Sequence, residues 1–526
     1  MAFSVSPENP QITNETQKFQ TQMGQISRHS SVFFLGTIFR IAAGYVFKVY
    51  LARTLGPEPL GIYALGMTIV GLVGILGGLG LPQAAVRFVA HYTASQKMDE
   101  LRHFLVAGTG VILAANVVLG ALVLGIGPWV AVHFYHSPGL SPYVKWFALI
   151  MVLGSLTSFF GKVLQGYKQV ARLTVLTDFV ATPLAMLATV LLIAWGAGLR
   201  GYILAQVISG AVLLAMLLLA VWRQTPSTAR RFSAGLARPE PQVFSFGATV
   251  LGIALMNFLL SQSDRVLIGF YRNARELGIY SIAAAMVAYI PVALQSVNQI
   301  FSPTIADLHT RGERQLLERL YQTLTRWILA FTLPLVIGMM VFAKSLMGIF
   351  GTDFQAGWLV LIIGSVGQLV NCGVGSVGFL LLMSGHERQL MRVQVVTTML
   401  TIVLGLALIP RWGIIGAAAA SATANVVVNM WNMLLVRRLL GFLPYNRSSL
   451  RLLSSTVVSV GVVIFSEAML RGMAAWTRIV VGLLLAYVSF LGVLLLSGLD
   501  ADDRLIGQAA WKRMKGFLPA IDVGAS

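Results

Sequence analysis

The chain has 526 residues, of which 57% are hydrophobic and only 11% are charged. A soluble domain carries about 25% charged residues, so this composition excludes an ordinary soluble protein and indicates an all-α polytopic membrane protein. Apolar runs of about 20 residues exclude a β-barrel, whose strands are short and alternating. The single cysteine, Cys372, excludes an internal disulfide and a cysteine-based metal site.

Apolar runs predict fourteen membrane-spanning segments, named spans 1 to 14. In chain order they cover residues 31–54, 60–81, 104–124, 143–163, 173–195, 201–221, 243–263, 279–300, 327–348, 357–383, 393–410, 413–435, 452–470 and 478–497. Only Arg411 and Trp412 separate spans 11 and 12, which predicts a tight hairpin between them. The polar first 30 residues lack an apolar signal-peptide core, so span 1 is expected to serve as an uncleaved insertion signal.

The 38 basic residues lie mostly in the tails and the even-numbered loops. This bias predicts a plasma-membrane protein with both termini in the cytoplasm. It also explains the net charge of +19, together with attraction to anionic membrane lipids, so we expect no nucleic-acid partner. The sequence has no phosphate-binding GxxxxGK[ST] loop, no HExxH and no His/Cys cluster, so we expect no enzyme activity, no cofactor and no metal site.

The chain contains an internal duplication. Leu60-Gly-Ile-Tyr63 recurs as Leu277-Gly-Ile-Tyr280 at an offset of 217 residues, and Trp195-Gly196 recurs as Trp412-Gly413 at the same offset. This agreement predicts two six-helix lobes in a parallel repeat, with two extra helices after them. The predicted order is an N-terminal cytoplasmic tail (1–30), an N-lobe (31–221), a cytoplasmic inter-lobe loop (222–242), a C-lobe (243–438), spans 13 and 14 (439–499) and a C-terminal cytoplasmic tail (500–526).

Span 1 carries two cations at membrane depth. Arg40 and Lys48 flank Gly44, and steps of four residues keep all three on one broad helix face. A cation at this depth costs from ~3 to more than ~10 kcal/mol unless it faces protein or water. We interpret this face as the wall of an anion-accepting cavity. The alternative is a structural ion pair, with Asp178 or Asp264 as the partner.

Polar residues recur at helical spacing in several other spans. The residues concerned are Asn257 and Asp264 in span 7, Gln295, Asn298 and Gln299 in span 8, and Asn425, Asn429 and Asn432 in span 12. Such side chains suit a hydrated passage for a polyhydroxylated cargo, and the alternative is hydrogen bonding between helices. Asp178 in span 5 and Asp264 are the candidate ion-coupling residues.

Two features predict helix geometry. Pro183 and Pro291 lie in the middle of spans and are predicted bending points, because proline removes a backbone hydrogen bond. The segment 306–327 carries an apolar stripe of leucines. It is predicted to form a helix that lies either in the membrane interface or as a packed linker between spans.

Three segments resemble one family of membrane proteins. They are the stretch from Phe39 to Ala90 with its RTLGPEPLGIY run, the Leu-Gln-Gly-Tyr end of span 4, and WGIIGAAAA from Trp412. They resemble the polysaccharide-biosynthesis flippases of the multidrug/oligosaccharidyl-lipid/polysaccharide exporter superfamily, and the resemblance extends over nearly the whole chain. It implies two lobes around a central cavity that opens alternately to each side, and a cargo of isoprenoid-linked oligosaccharide.

The resemblance also implies roles for individual residues. Arg40 and Lys48 would meet the diphosphate of the cargo, Arg87 and Arg265 are further candidates, and spans 13 and 14 would form a groove for the lipid tail. Together with the polar faces, this gives the predicted substrate-binding set Arg40, Lys48, Arg87, Arg265, Asn257, Gln295, Asn298, Gln299 and Asn425.

We therefore expect a flippase that moves an isoprenoid-diphosphate-linked oligosaccharide across the cytoplasmic membrane for cell-surface polysaccharide synthesis. Polymerase or glycosyltransferase components of that pathway are candidate partners. One alternative is a cation-coupled multidrug antiporter of the same superfamily, against which the cationic span 1 argues. The other is a lipid-binding scaffold in envelope assembly that transports nothing.

Overall fold

The structure, a computed structural model, describes residues 43–226 and 241–498. This part of the chain consists of helices joined by short connections and contains no strand, which confirms the all-α class. Eleven of its helices are long and apolar enough to span a membrane, or up to twelve if a pair bent by 49° is counted as one span. Arg40 and the first half of span 1 lie outside the described residues, and the total of fourteen stays a prediction.

The chain divides into two compact units. Unit 1 is Met1–Leu55 with Gly66–Phe258, and unit 2 is Gly56–Leu65 with Leu259–Ser526. The division after Phe258 lies within a helix, whereas the predicted inter-lobe loop is 222–242, of which residues 227–240 lie outside the described part. The predicted domain boundaries and the two six-helix lobes therefore stay predictions.

Unit 1 is built from long helices around an aromatic core. They are α1 (43–55), the part of α2 (Pro57–Gly78) after Leu65, α3 (Leu81–Ala94), α4 (Met98–Trp129), α5 (Val144–Gly166), α6 (Val170–Thr174), α7 (Thr182–Ala194), α8 (Gly198–Gln224) and the part of α9 (Pro241–Tyr271) up to Phe258. The rings of Phe88, Phe104 and Phe159 join α3, α4 and α5, with centroids 6.1 Å apart in each successive pair. A π-helical segment, Val175–Ala181, ends two residues before Pro183, so the helix is irregular at this predicted bending point.

Unit 2 contains the remainder of α2 and α9 and all later helices. These are α10 (Ala274–Val287), α11 (Val292–Arg311), α12 (Arg314–Val341), α13 (Ala343–Gly348), α14 (Trp358–Val374), α15 (Val377–Met383), α16 (Glu387–Leu439), α17 (Arg451–Met469) and α18 (Ala475–Leu496). The α10–α11 pair bends by 49° at the break that contains Pro291, which confirms that bending point.

The segment 306–327 is helical but does not form a helix of its own. It is divided between α11 and α12 at Gly312, whose φ of 74° suits glycine. Leu317 and Tyr321 on α12 are buried in a core cluster with α11 and α15. The packing therefore matches the packed-linker alternative rather than a separate helix in the interface.

Helices α17 and α18 pack on α12. The Tyr487 hydroxyl of α18 donates to the Phe331 carbonyl of α12 at 3.0 Å, and Phe490 is buried against Ala330 and Leu452. Their outward faces remain apolar, as shown by Val457 at 71% exposure. Exposed apolar surface on so many long helices belongs to a multi-pass membrane protein, whose outer faces contact lipid.

The duplicated Leu-Gly-Ile-Tyr segments cross each other within unit 2. A Cβ on Gly61 would clash with the carbonyl of Ala274, and a Cβ on Gly278 would clash with the carbonyl of Pro57. Positions 57 and 274 are related by the same offset of 217 as positions 61 and 278. The glycine of each copy therefore packs against the equivalent carbonyl of the other copy. A two-fold relation between the duplicated segments produces this pattern.

Candidate functional site

A cavity with an uncharged polar wall lies inside unit 2. We name it the amide cavity. Its volume is about 530 Å³, within the range of about 300–1,000 Å³ found for small-molecule sites. Its polar lining consists of Gln368, Asn371, Gln394, Thr397, Thr401, Ser421, Asn425, Asn429 and Asn432, and its apolar lining includes Leu260, Phe379, Leu382 and Leu390. None of the lining residues within the described part of the chain is charged.

Helical spacing places these polar side chains on common faces. The first half of α16 contributes positions 394, 397 and 401, its second half contributes 421, 425, 429 and 432, and α14 contributes 368 and 371. Steps of three, four, seven, eight and eleven residues all return to one side of a helix. Each of these helices therefore presents a polar stripe to the cavity and keeps apolar residues for its other neighbours.

Glycines bring the lining helices together. At Gly413 the backbone of α16 leaves the helical conformation (φ 57°, ψ −134°), which confirms the tight hairpin predicted between spans 11 and 12. A Cβ on Gly416 would clash with the Leu408 carbonyl, so the two halves of α16 touch just beside this break. A Cβ on Gly367 would lie 3.0 Å from the Ala422 Cα, so α14 also packs closely on the second half of α16.

Hydrogen bonds fix the amides in the cavity wall. The Asn425 side chain donates to the Gly367 carbonyl at 3.2 Å and so joins α16 to α14. The Asn429 amide donates to both the carbonyl and the side-chain oxygen of Asn425, each at 2.8 Å. In contrast, the side-chain oxygen of Asn432 is buried without a hydrogen-bond partner, although the residue is only 5% exposed.

A carboxylate is linked to this wall. Asp264 on α9 is half-buried and accepts hydrogen bonds from the Tyr280 hydroxyl and, at 2.7 Å, from the backbone N–H of Arg265. The Tyr280 hydroxyl also interacts with the side chain of Ser421, which lines the amide cavity. One of the two candidate coupling residues is therefore two hydrogen bonds away from the cavity.

Among the predicted substrate-binding residues that the structure describes, only Asn425 lines the amide cavity. Gln295 and Gln299 are exposed on α11, and Asn298 is half-buried beside them. Asn257 is exposed on the unit 1 part of α9. Their spacing is as regular as that of the lining residues, and their roles stay predictions.

The charged candidates occupy separate places. Lys48 is half-buried in α1, while its predicted companion Arg40 lies outside the described residues, so their shared face stays a prediction. Arg87 is exposed on α3 with its guanidinium 5.0 Å from the ring centroid of Phe246. Arg265 donates to Gln262 on its own helix at 2.7 Å. Asp178 is half-buried in the π-helical segment of unit 1.

The sequence analysis missed six polar residues of the cavity wall, namely Gln368, Asn371, Gln394, Thr397, Thr401 and Ser421. The signal was present, because positions 394, 397 and 401 have the same helical spacing as the asparagines of span 12. What the sequence did not contain was a way to recognise that these stripes face each other.

Comparisons with known proteins agree with this architecture. The family model described as polysaccharide biosynthesis protein matches residues 50–357. The chain is 22% identical over 414 residues to a probable low-salt glycan biosynthesis flippase, Agl15, of Haloferax volcanii, covering 76% of this chain and 81% of the relative. It is 27% identical over 318 residues to the succinoglycan biosynthesis transport protein ExoT of Rhizobium meliloti, covering 59% of this chain and 60% of the relative.

Solved structures show the same fold. The lipid II flippase MurJ in an inward closed conformation superposes with a TM-score of 0.71 at 12% identity, covering 88% of this chain and 97% of MurJ. A multidrug resistance transporter of the MATE family in an inward-facing conformation gives a TM-score of 0.56 at 13% identity, covering 76% of this chain and 94% of the transporter.

The family model covers more than half of the chain, and its match agrees with both the named relatives and the helical fold. The chain is a multi-pass membrane protein of the flippase and transporter class. It belongs to the polysaccharide biosynthesis protein family.

Proposed function

We propose that this protein flips an isoprenoid-diphosphate-linked oligosaccharide across the cytoplasmic membrane by alternating access, with no covalent step. The observation that carries the proposal is the amide cavity, with about 530 Å³ of space and a wall of amides and hydroxyls. Sugar hydroxyls both donate and accept hydrogen bonds, and amide side chains do the same. A flippase relative named for glycan biosynthesis supports this cargo class.

The diphosphate of such a cargo needs a different site. The described residues that line the amide cavity include no cation, and a buried phosphate without a countercharge is strongly disfavoured. Arg40 and Lys48 are our candidates for this role, since charge-assisted hydrogen bonds to phosphate are the stronger class. Arg87 and Arg265 are secondary candidates. The apolar outer faces of α17 and α18 are suited to the isoprenoid tail.

Ion coupling would act through the acids. Asp264 is the stronger candidate, because Tyr280 and Ser421 connect it to the wall of the amide cavity. A change in the charge of Asp264 would alter the strength of the hydrogen bond that it accepts from the Tyr280 hydroxyl. Because Tyr280 also interacts with Ser421, this change would reach the polar wall of the cavity. Asp178 is the second candidate, in unit 1.

The amide cavity argues against the rival functions. A drug antiporter carries cationic cargo and needs an acidic residue in its binding cavity, but this wall has none. A scaffold that transports nothing has no use for a cavity of this size lined by nine uncharged polar residues. Both termini are proposed to lie in the cytoplasm, because the basic residues are concentrated in the tails and the even-numbered loops.

A reconstituted flipping assay tests the proposal. Proteoliposomes receive a fluorescent lipid-diphosphate oligosaccharide, and its movement between leaflets is followed for wild type, Arg40→Gln, Lys48→Gln and Asn425→Leu. We expect each variant to flip at least about tenfold more slowly, equivalent to about 1.4 kcal/mol in the barrier. Arg275→Gln is the matched control, since Arg275 forms an exposed ion pair with Asp353. A wild-type protein that moves no such lipid contradicts the proposal.

A further inference from the structure

We infer that the amide cavity is a subsite for an uncharged sugar ring and that it excludes sugars bearing a carboxylate. This inference rests on the proposed function, and it adds the chemical class of the glycan to it. It is carried by the hydrogen-bonding state of the cavity wall, in particular by an acceptor atom that the protein itself leaves without a donor.

The first observation is the side-chain oxygen of Asn432. This atom is buried and has no hydrogen-bond partner, in a residue that is 5% exposed and lines the cavity. A buried acceptor without a partner is unfavourable, and most buried polar atoms in proteins are paired. The arrangement is explained if a ligand hydroxyl donates to this oxygen when the cavity is filled.

The second observation is that the threonines of the wall have already used their protons. Thr397 donates to the Val393 carbonyl at 2.8 Å, and Thr401 donates to the Thr397 carbonyl at 2.8 Å. A hydroxyl carries one proton, so what each of these side chains still offers is its lone pairs. The side-chain oxygens of Asn432, Thr397 and Thr401 are therefore suited to accept hydrogen bonds from a ligand that supplies donors.

A neutral sugar ring meets this requirement with all of its hydroxyls, whereas a uronic acid keeps its ring hydroxyls but carries one group that cannot donate. Each sugar hydroxyl has a proton to donate, whereas a carboxylate at neutral pH only accepts. The carboxylate would also lose its hydration in a cavity whose described wall contains no cation. Replacing one hydroxymethyl group by a carboxylate is therefore expected to weaken binding at least about tenfold.

The experiment compares methyl β-glucoside with methyl β-glucuronide, which differ in that one group. Binding to the full-length protein in nanodiscs of phosphatidylcholine is measured by saturation-transfer NMR. Wild type should bind the glucoside, and the glucuronide at least about tenfold more weakly. Equal binding of the two probes, or binding of neither, overturns the inference.

Variants locate the binding to this cavity. Asn432→Leu should lose glucoside binding without a fall in melting temperature, because it removes an acceptor that was never satisfied. Thr401→Val should weaken binding, whereas Thr456→Val should not, since Thr456 donates to the Leu452 carbonyl on α17 and does not line the cavity. Unchanged glucoside binding in Asn432→Leu would overturn the assignment.

The inference and the proposed function fail differently. If proteoliposomes flip lipid-diphosphate carriers of neutral and uronic acid glycans equally well, the flippase function stands and the selectivity is wrong. If the glucoside binds as predicted but no carrier is flipped, the cavity chemistry stands and the proposed function is wrong.

Discussion

The crossing of the two Leu-Gly-Ile-Tyr segments is expected to leave no room for a side chain at Gly61 or Gly278. In Gly61→Ala the new Cβ would overlap the carbonyl oxygen and carbon of Ala274 and lie 3.0 Å from its Cα. These are backbone atoms of α10, so no rotamer change can relieve the clash, and the two helices must separate. Overpacking of this kind costs about 1–3 kcal/mol, and Gly278→Ala should behave the same way against Pro57.

Gly252→Ala is the matched control. Gly252 also lies in a membrane-spanning helix, α9, but a Cβ there would meet nothing within 4 Å. Alanine is favoured over glycine in a helix by about 1 kcal/mol, so this control should be neutral or stabilising. Gly61 lies in a helix as well, so this gain is common to both variants, and they should differ by the overpacking cost of about 1–3 kcal/mol.

Melting temperatures of the purified protein in one detergent measure the difference. One kcal/mol shifts the melting temperature by about 2–4 °C in a unit of 150–250 residues, so we expect Gly61→Ala to melt at least about 2 °C below Gly252→Ala. The double variant Gly61→Ala/Gly278→Ala should lose less than the sum of the single losses, because one separation of the helices relieves both clashes. Equal melting of Gly61→Ala and Gly252→Ala would refute this reasoning.

Three further variants test other contacts. Glu467→Gln should lower the melting temperature clearly more than Asp353→Asn does. Glu467 pairs at 3.3 Å with Arg478, whose side chain is 20% exposed, whereas the Asp353 pair is more than half exposed and is worth about 0–1 kcal/mol. Asp264→Asn should preserve folding but abolish any dependence of flipping on an ion gradient, and an unchanged dependence would exclude this residue from coupling. Arg87→Gln should cost only about 0.5–1 kcal/mol of stability, the usual size of an exposed cation–π contact, and a larger loss in a thermal melt would indicate another role.

The sequence predicted that polar helix faces line a passage, but it did not identify most of the residues that form the cavity wall. Asn425, Asn429 and Asn432 were recognised as a polar stripe, and the structure places all three in one cavity wall. Gln295 and Gln299 have spacing of the same quality, yet both side chains are exposed. Helical periodicity identifies the face of a helix on which residues lie, but it does not identify which helix, if any, covers that face.

Sequence reasoning was sufficient to predict the membrane class, the positions of most helices, the bend at Pro291 and the hairpin at Gly413. These features depend on local hydropathy and on the backbone preferences of single residues. The tertiary structure decided that α14 meets both halves of α16, since this contact requires the close approaches at Gly367 and Gly416. It also fixed which buried acceptors are left without a donor, the side-chain oxygen of Asn432 among them. Hydrogen-bond satisfaction depends on neighbours distant in the chain, so the orphan oxygen of Asn432 is a property of the fold.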